Sequence, residues 1–432
     1  MPKLTLWLST AFSSLLLLIV PAALFAQATT ITIDEAYQLA RKNYPLIKQR
    51  ELIKKSSAYS VENASKGYLP QLNFSGQATY QSAVTNFPFT IPIPGFTLPT
   101  YSKDQYKIYG EVDQSIYDGG IIKNQKQTEE TNEAIQQQNL EVELYALYDR
   151  VNQLFFGILL SDEQLKQNQL LQNDIQNGID KAKSLVTNGT AFRSSVDELQ
   201  AQLLQTDQSK VEIIALRKAY ADMLSLFINE PIDSNTELKT PPVPALADSI
   251  NRPEMLLYDY QKKVYDLQGN LLNAQLRPKF DFFFQGGYGR PGLNFLSNDF
   301  ALYYITGIRL SWNLGSLYTL KNQRQILNIN KQTLDIQKEN FVFNTTISQK
   351  QGNADINKYG ELIKKDDEII SLRESVKNAA SAQLENGVLS AHDYLTEVDA
   401  EDQARQNKIL HEVQLLQSQY SYQVLTGNNK NQ

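Results

Sequence analysis

The chain has 432 residues, a formal net charge of −6 from 41 Lys+Arg against 47 Asp+Glu, and no cysteine. The acidic balance argues against a nucleic-acid binder, which presents a basic face. The lack of cysteine excludes a disulfide framework, a thiolate metal site, a cysteine nucleophile and a lipid-modified cysteine anchor.

Residues 1–28 read as a secretory signal peptide. Lys3 precedes an apolar run from Leu15 to Val20, followed by Pro21 and by small residues at Ala22, Ala23, Ala26 and Ala28. Charge, short apolar core and cleavable flank follow in the order export requires. No other apolar run approaches the ~20 residues of a membrane helix, so a membrane crossing would have to be made by strands.

Ile33 to Asn43 reads as a short amphipathic helix with Ile33, Ala36, Tyr37, Leu39 and Ala40 on one side. A second helix starts at Pro45, a favourable first-turn residue, and runs to about Gly67 before Pro70. The period then changes to two: Leu72, Phe74, Ala78 and Tyr80 alternate with Gln71, Asn73, Ser75, Gln77 and Thr79, a strand with one apolar and one polar face. A loop over 81–104 carries Pro88, Pro92, Pro94 and Pro99 among Phe87, Phe89 and Phe96. The next strand sets Tyr106, Ile108, Val112 and Ile116 against Lys107, Glu111, Asp113 and Ser115, and Asp118-Gly119-Gly120 ends it.

A proline-free helix is then expected from Ile121 to Thr187, with apolar spacing at Leu144, Tyr148, Val151, Phe155 and Ile158, resumed by Leu171, Ile175, Ile179, Ala182 and Val186. The phase slips near Gln164 to Gln169, which excludes a simple two-stranded coil. Gly157 and Gly178 count here as tolerable local weaknesses. After Asn188-Gly189 the chain returns as a helix from Arg193 to Ile228, and a proline-rich linker, Pro231 to Pro244, follows.

The second half repeats the first. Asn43-Tyr44-Pro45 recurs as Asn251-Arg252-Pro253, Lys54-Lys55 as Lys262-Lys263, Tyr68-Leu69-Pro70 as Leu276-Arg277-Pro278, and Asn188-Gly189 as Asn386-Gly387. The expected domains are therefore a first repeat over 29–230 with its tip at 188–191, a linker over 231–250, a second repeat over 251–426 with its tip at 386–389, and a tail over 427–432. Strands are expected at about 70–80, 106–117, 280–289 and 302–314.

Each long helix of about 70 residues would reach roughly 100 Å, far more than a compact domain needs. Shorter helices stacked end to end would line its whole length. Four two-faced, aromatic-rich strands fit an outer-membrane barrel, but four cannot close around a lumen, and an open edge cannot be left in lipid. Other copies must complete the sheet through a cyclic heterologous interface.

The chain resembles the TolC-like outer-membrane efflux family over essentially all of Ile31 to Leu425. The resemblance rests on Ile31-Thr32-Ile33-Asp34-Glu35-Ala36-Tyr37-Gln38-Leu39-Ala40-Arg41-Lys42-Asn43-Tyr44-Pro45, on the strand, Asp118-Gly119-Gly120, helix junction, and on the Asn-Gly tips. It implies a membrane α+β fold: a homotrimer with a twelve-stranded β-barrel, four strands per protomer, continued by a long periplasmic α-helical barrel. It also implies a site in the outer membrane extending into the periplasm, contact with outer-membrane lipid, and docking to an inner-membrane pump through a periplasmic adaptor (membrane fusion) protein. The expected activity is export of drugs, metals or proteins in a tripartite efflux or secretion complex, powered by the inner-membrane partner, with no cofactor and no nucleic acid.

The resemblance places the adaptor-docking tips at Asn188, Gly189, Thr190, Asn386, Gly387 and Val388. Relatives narrow the periplasmic end with acidic rings and interhelical links. The corresponding aperture positions here are Ser195, Leu384, Leu389 and Asp393, and the second acidic position is Thr396. With the polar latch positions changed, an apolar closure is expected, and Asp393 is the candidate cation-attracting ring. Arg309, on an otherwise aromatic strand, should face the lumen, because lipid-facing arginine is costly.

No catalytic or metal site is expected. Gly287-Tyr288-Gly289-Arg290-Pro291-Gly292 fits a dinucleotide fingerprint without the helix that must follow it, and His392 and His411 are too far apart to form a ligand pair. An enzyme would need a convergent polar pocket that the pattern does not assemble. The alternative from another class is an exported trimeric coiled-coil fibre or adhesin, which predicts uninterrupted heptads and no four-strand repeat.

Overall fold

A computed structural model describes residues 30–85, 88–89, 92–95, 101–234 and 236–428. The expected signal peptide, the loop residues Phe87, Phe96 and Pro99, and the tail beyond 428 lie outside the described residues. In chain order the elements are β1 (Thr30–Ile31), α1 (Ile33–Asn43), α2 (Gln49–Ser65), β2 (Gln71–Tyr80), β3 (Asp104–Tyr117), α3 (Ile121–Tyr145), α4 (Leu147–Thr187), α5 (Arg193–Ile228), β4 (Glu237–Leu238), α6 (Pro253–Gln275), β5 (Lys279–Arg290), β6 (Ala301–Ser311), α7 (Leu317–Glu385) and α8 (Ala391–Thr426).

The alternating stretches form one antiparallel sheet in the order β2-β3-β5-β6. Its register places Asn73 beside Glu111 and Glu111 beside Gln285, and Leu72 beside Val112 and Val112 beside Phe284. Because side chains alternate with a period of two, one face is polar and the other carries Leu72, Phe74, Phe282, Phe284, Leu302, Ile308 and Leu310, all exposed. Among the described residues, the outer edges of β2 and β6 pair with no other strand.

Below the sheet, α2 packs on α3, α3 on α6 and α6 on α7, the same order as the strands. The agreement follows from connectivity, since each strand runs into or out of the helix beneath it. Farther down, α5 packs on α4, α4 on α8 and α8 on α7. The columns α3/α4 and α7 run through both tiers, whereas α2 meets α5, and α6 meets α8, end to end. Asn43 Nδ2 donates to Ile228 O at 2.5 Å at the first junction, and the Asn251 amide donates to Thr426 O at 2.7 Å at the second. These bonds satisfy carbonyls that a helix C-terminus leaves without intrahelical partners.

The main core lies at this mid-level, where Tyr37, Val151, Phe155, Phe156, Leu224, Ile228 and Val424 are buried together. α1 reaches it because Thr32 and Glu35 form a reciprocal cap, with Glu35 N donating to Thr32 Oγ1 at 3.3 Å and Thr32 N donating to Glu35 Oε2 at 2.9 Å. Just before it, β1 pairs in parallel with β4 and ties the start of the chain to the linker. A second core fills the space between the two hairpins near their tips, with Ile175, Ile179, Leu199, Ala380, Leu384, Tyr394 and Val398.

Several expectations need correction. The helix expected from Ile121 to Thr187 is interrupted at Ala146, between α3 and α4, at the level where its neighbours change from α2 and α6 to α5 and α8. The stretch after Pro45 opens as a 3₁₀ turn, Pro45–Lys48, and closes as another, Lys66–Tyr68. The last strand stops at Ser311 instead of 314. The Trp312 indole leaves the ladder to donate to Leu276 O at 2.9 Å, and Leu314–Ser316 turns into a 3₁₀ segment. Gly157 and Gly178 are sites of close approach: a Cβ there would lie 2.8 Å from Tyr220 and 2.6 Å from Tyr394.

Candidate functional site

The two hairpin tips are built alike. Gly189 and Gly387 take left-handed φ angles of +74° and +67°, which cost a residue with a Cβ but not glycine. In the first tip Gly189 N donates to Val186 O at 3.0 Å and Thr190 N to Leu185 O at 2.9 Å; in the second Gly387 N donates to Leu384 O and Val388 N to Gln383 O, both at 2.9 Å. This is the paired 6→1 and 5→2 pattern of a Schellman cap, so each glycine terminates a long helix and reverses the chain. Asn188 and Asn386 are the C-caps.

Beyond the turns the tips differ. Ser390 caps α8: its hydroxyl accepts Asp393 N at 3.1 Å and donates to Asp393 Oδ2 at 2.7 Å. Asp393 thus sits in the first turn of α8, where a carboxylate meets the positive end of the helix dipole. In the first tip the N-cap is Phe192, with no side-chain cap, and Ser195 N donates to Phe192 O at 3.0 Å. Phe192 and Val388 are 84% and 77% exposed, leaving one apolar side chain projecting from each tip.

Of the other aperture candidates, Leu384 is 2% exposed and belongs to the core between the hairpins, with Leu389 packed against that core. Polar groups lie around this core as well. Lys181 Nζ of α4 reaches Glu385 at 3.0 Å and Ser381 Oγ at 2.9 Å on α7. Lys377 of α7 lies between Asp174 of α4 at 2.8 Å and the buried Glu401 of α8 at 3.4 Å. Arg405 also pairs with Glu401, and reaches Glu374 of α7 at 3.2 Å. The Tyr394 hydroxyl donates to Asp174 O at 3.0 Å, and burial pushes its pKa up to about 12, with Asp174 acting in the same direction. Polar bridges between the hairpins therefore exist, at positions other than those the resemblance pointed to.

Sequence reasoning missed these residues, although one signal was available. Lys377 lies three and seven residues before the buried Ala380 and Leu384, and Glu401 lies three and seven after the buried Val398 and Tyr394. Both are charges on an inward-facing helical stripe, where an ion must be paired.

On the sheet, Arg309 shares the polar face with Glu111 and Asp113. Its guanidinium donates to them at 2.9 and 3.2 Å across β5 and lies 4.7 Å from the centroid of the Phe283 ring. His392 contacts Glu198 at 2.9 Å and His411 contacts Asp366 at 2.6 Å, each bridging two helices. Among the described residues no group of three or more His, Cys, Asp or Glu is placed to hold a metal, and no helix is long and apolar enough to cross a membrane.

Comparison with known proteins agrees with this geometry. The family model described as outer membrane efflux protein matches residues 36–224. No curated protein sequence matches. Among solved structures, CusC, described for its transmembrane channel formation, is 13% identical with a TM-score of 0.67, covering 91% of this chain and 91% of that one. The MtrE outer membrane channel of Neisseria gonorrhoeae in its open state is 12% identical with a TM-score of 0.65, covering 91% and 88%. The outer membrane protein VceC of Vibrio cholerae is 12% identical with a TM-score of 0.62, covering 92% and 95%. A fold shared with outer-membrane channels over nine-tenths of the chain leaves the fibre or adhesin alternative without support. Residues 36–224 match the outer membrane efflux protein family, and the fold of the chain is that of these channel structures.

Proposed function

We propose that three copies of the chain close a twelve-stranded barrel in the outer membrane above a twelve-column helical tunnel, and that the hairpin tips dock a periplasmic adaptor joined to an inner-membrane pump. The observation that carries this reading is the free edge on each side of the protomer. On one side lie β6 and α7; on the other, β2 above α2 and α5. An unpaired strand edge cannot remain in lipid, and joining β6 of one copy to β2 of the next closes the sheet by rotation.

The free side of α7 supports the same assembly. Ile326, Ile329, Ile336, Phe343 and Ile347 are exposed at spacings of three, four and seven, the seam of a helix that expects a partner. The apolar sheet face then meets lipid, and the polar face, with Arg309, lines the lumen. Cargo passes from the pump to the exterior without release between the membranes, and the energy comes from the pump.

The tips are the farthest points from the sheet, where a periplasmic adaptor can reach Asn188, Gly189, Thr190, Asn386, Gly387 and Val388. Asp393 and Ser195, just inside, stand at the aperture, and the Lys181 and Lys377 bridges hold the hairpins together there. Residues 1–28 serve as the signal peptide. The test is a heat-modifiable trimer in outer-membrane fractions that conducts ions in planar bilayers; a monomer there would overturn the reading. Gly387→Val should abolish efflux while trimers persist. Loss of the trimer instead would remove the docking role.

A further inference from the structure

The free side of α7 has a counterpart on α2, at the opposite side of the protomer. On α7, Ile336, Glu339 and Phe343 are exposed at spacings of three and four, and on α2, Leu52, Lys55 and Tyr59 are exposed at the same spacings. Each set is one stripe of its helix, an apolar pair with a charge between, and the two charges are opposite. Lys54 pairs with Glu51 and Lys66 with Glu62, while Lys331, Asp335 and Lys338 of α7 pair with α6. Among the described residues, Lys55 and Glu339 are left without an ion-pair partner.

Both stripes lie at one height. The Arg50 carbonyl of α2 accepts from Gln137 of α3 at 3.1 Å, and the Pro253 carbonyl of α6 accepts from the adjacent Gln138 at 2.8 Å. Asp259 of α6 meets Lys338 of α7 at 2.7 Å. Following α6 and α7 down from that pair by equal lengths brings Pro253 level with Asn344, so Leu52 and Phe343 stand at about the same height, as do Tyr59 and Ile336. α2 runs toward the sheet and α7 away from it, which makes the stripes antiparallel.

We infer that α7 of one copy packs on α2 of the next in one antiparallel register, with Phe343 on Leu52, Ile336 on Tyr59 and Glu339 paired with Lys55. This rests on the reading that β6 of one copy joins β2 of the next, which sets these two helices side by side. The charges select both partner and register. Two α7 stripes facing each other would oppose Glu339 to Glu339, and like charges across a seam repel. A slip of one heptad sets Lys55 beside Gln332, or Lys350 against Leu52, and the ion pair is lost. The seam thus fixes the height of each copy against its neighbour, and with it the alignment of the strand edges above.

The cysteine-free chain lets the register be read by disulfide formation, which requires Cα atoms within about 7 Å. Leu52→Cys with Phe343→Cys, oxidised in outer-membrane fractions, should give covalent trimers on denaturing gels. Leu52→Cys with Ile336→Cys, offset by one heptad or about 10 Å, should crosslink several-fold less. Lys55→Glu should lower the temperature at which trimers dissociate, and adding Glu339→Lys should restore it. Native gels run before oxidation show whether each variant is trimeric. Trimers that crosslink through the offset pair, trimers of Leu52→Cys with Phe343→Cys that give no crosslink, or a charge exchange without rescue would each overturn the seam and leave the trimer standing. Phe343→Cys crosslinking to itself would replace the seam by a contact between two α7 helices. A wild type that is monomeric in those fractions would overturn the tunnel reading itself.

Discussion

Gly178 of α4 and Tyr394 of α8 fit so closely that a Cβ on the glycine would stand 2.6 Å from the tyrosine Cε1. The same tyrosine donates its hydroxyl to Asp174 O at 3.0 Å, so a notch and a hydrogen bond set the spacing of the hairpins. Gly178→Ala should overpack this contact and destabilise the protein by about 1–3 kcal/mol. Tyr394→Phe keeps the ring and should lose only about 1 kcal/mol. Thermal unfolding followed by circular dichroism checks both, and equal stability of Gly178→Ala and wild type would contradict the notch.

Lys377 bridges Asp174 and the buried Glu401. Lys377→Met should leave Glu401 to Arg405 alone and cost about 1–3 kcal/mol, with a raised single-channel conductance as the hairpins part. Adding Glu401→Gln removes the stranded charge and should recover part of the loss. A double-mutant cycle measures the coupling, and additive losses would show that the bridge is idle.

Acid should stabilise the protein around Asp402. Its folded pKa, about 6, lies above the ordinary aspartate value of 3.8, so between these limits the folded chain binds more protons than the unfolded one. Stability then falls as pH rises through that window. Asp402→Asn should flatten this part of the stability profile measured by denaturant titration at fixed salt. A profile with the same slope in the variant would assign it to another group.

Ile336 and Phe343 are 65% and 62% exposed on the free side of α7. Ile336→Glu with Phe343→Glu should leave the isolated protomer within about 0.5 kcal/mol per site of wild type while preventing the proposed trimer, because two charges would be buried at its seam. Crosslinking in outer-membrane fractions reads the outcome. Trimers at wild-type level would place the seam elsewhere.

The duplication, the change of period at Pro70 and Pro278, and the Asn-Gly reversals are local features, and they sufficed for the sheet, the long columns and the two tips. Periodicity depends only on neighbours along the chain, which is why it could be read from the sequence. The strand order β2-β3-β5-β6, the break at Ala146, the tyrosine notches over Gly157 and Gly178, and the bridges through Lys181 and Lys377 were decided by tertiary structure alone. Each joins residues from separate helices or strands, and which charge meets which depends on how the two hairpins are rotated against each other. Spacing marks Lys377 and Glu401 as inward-facing; only the packed hairpins make them partners.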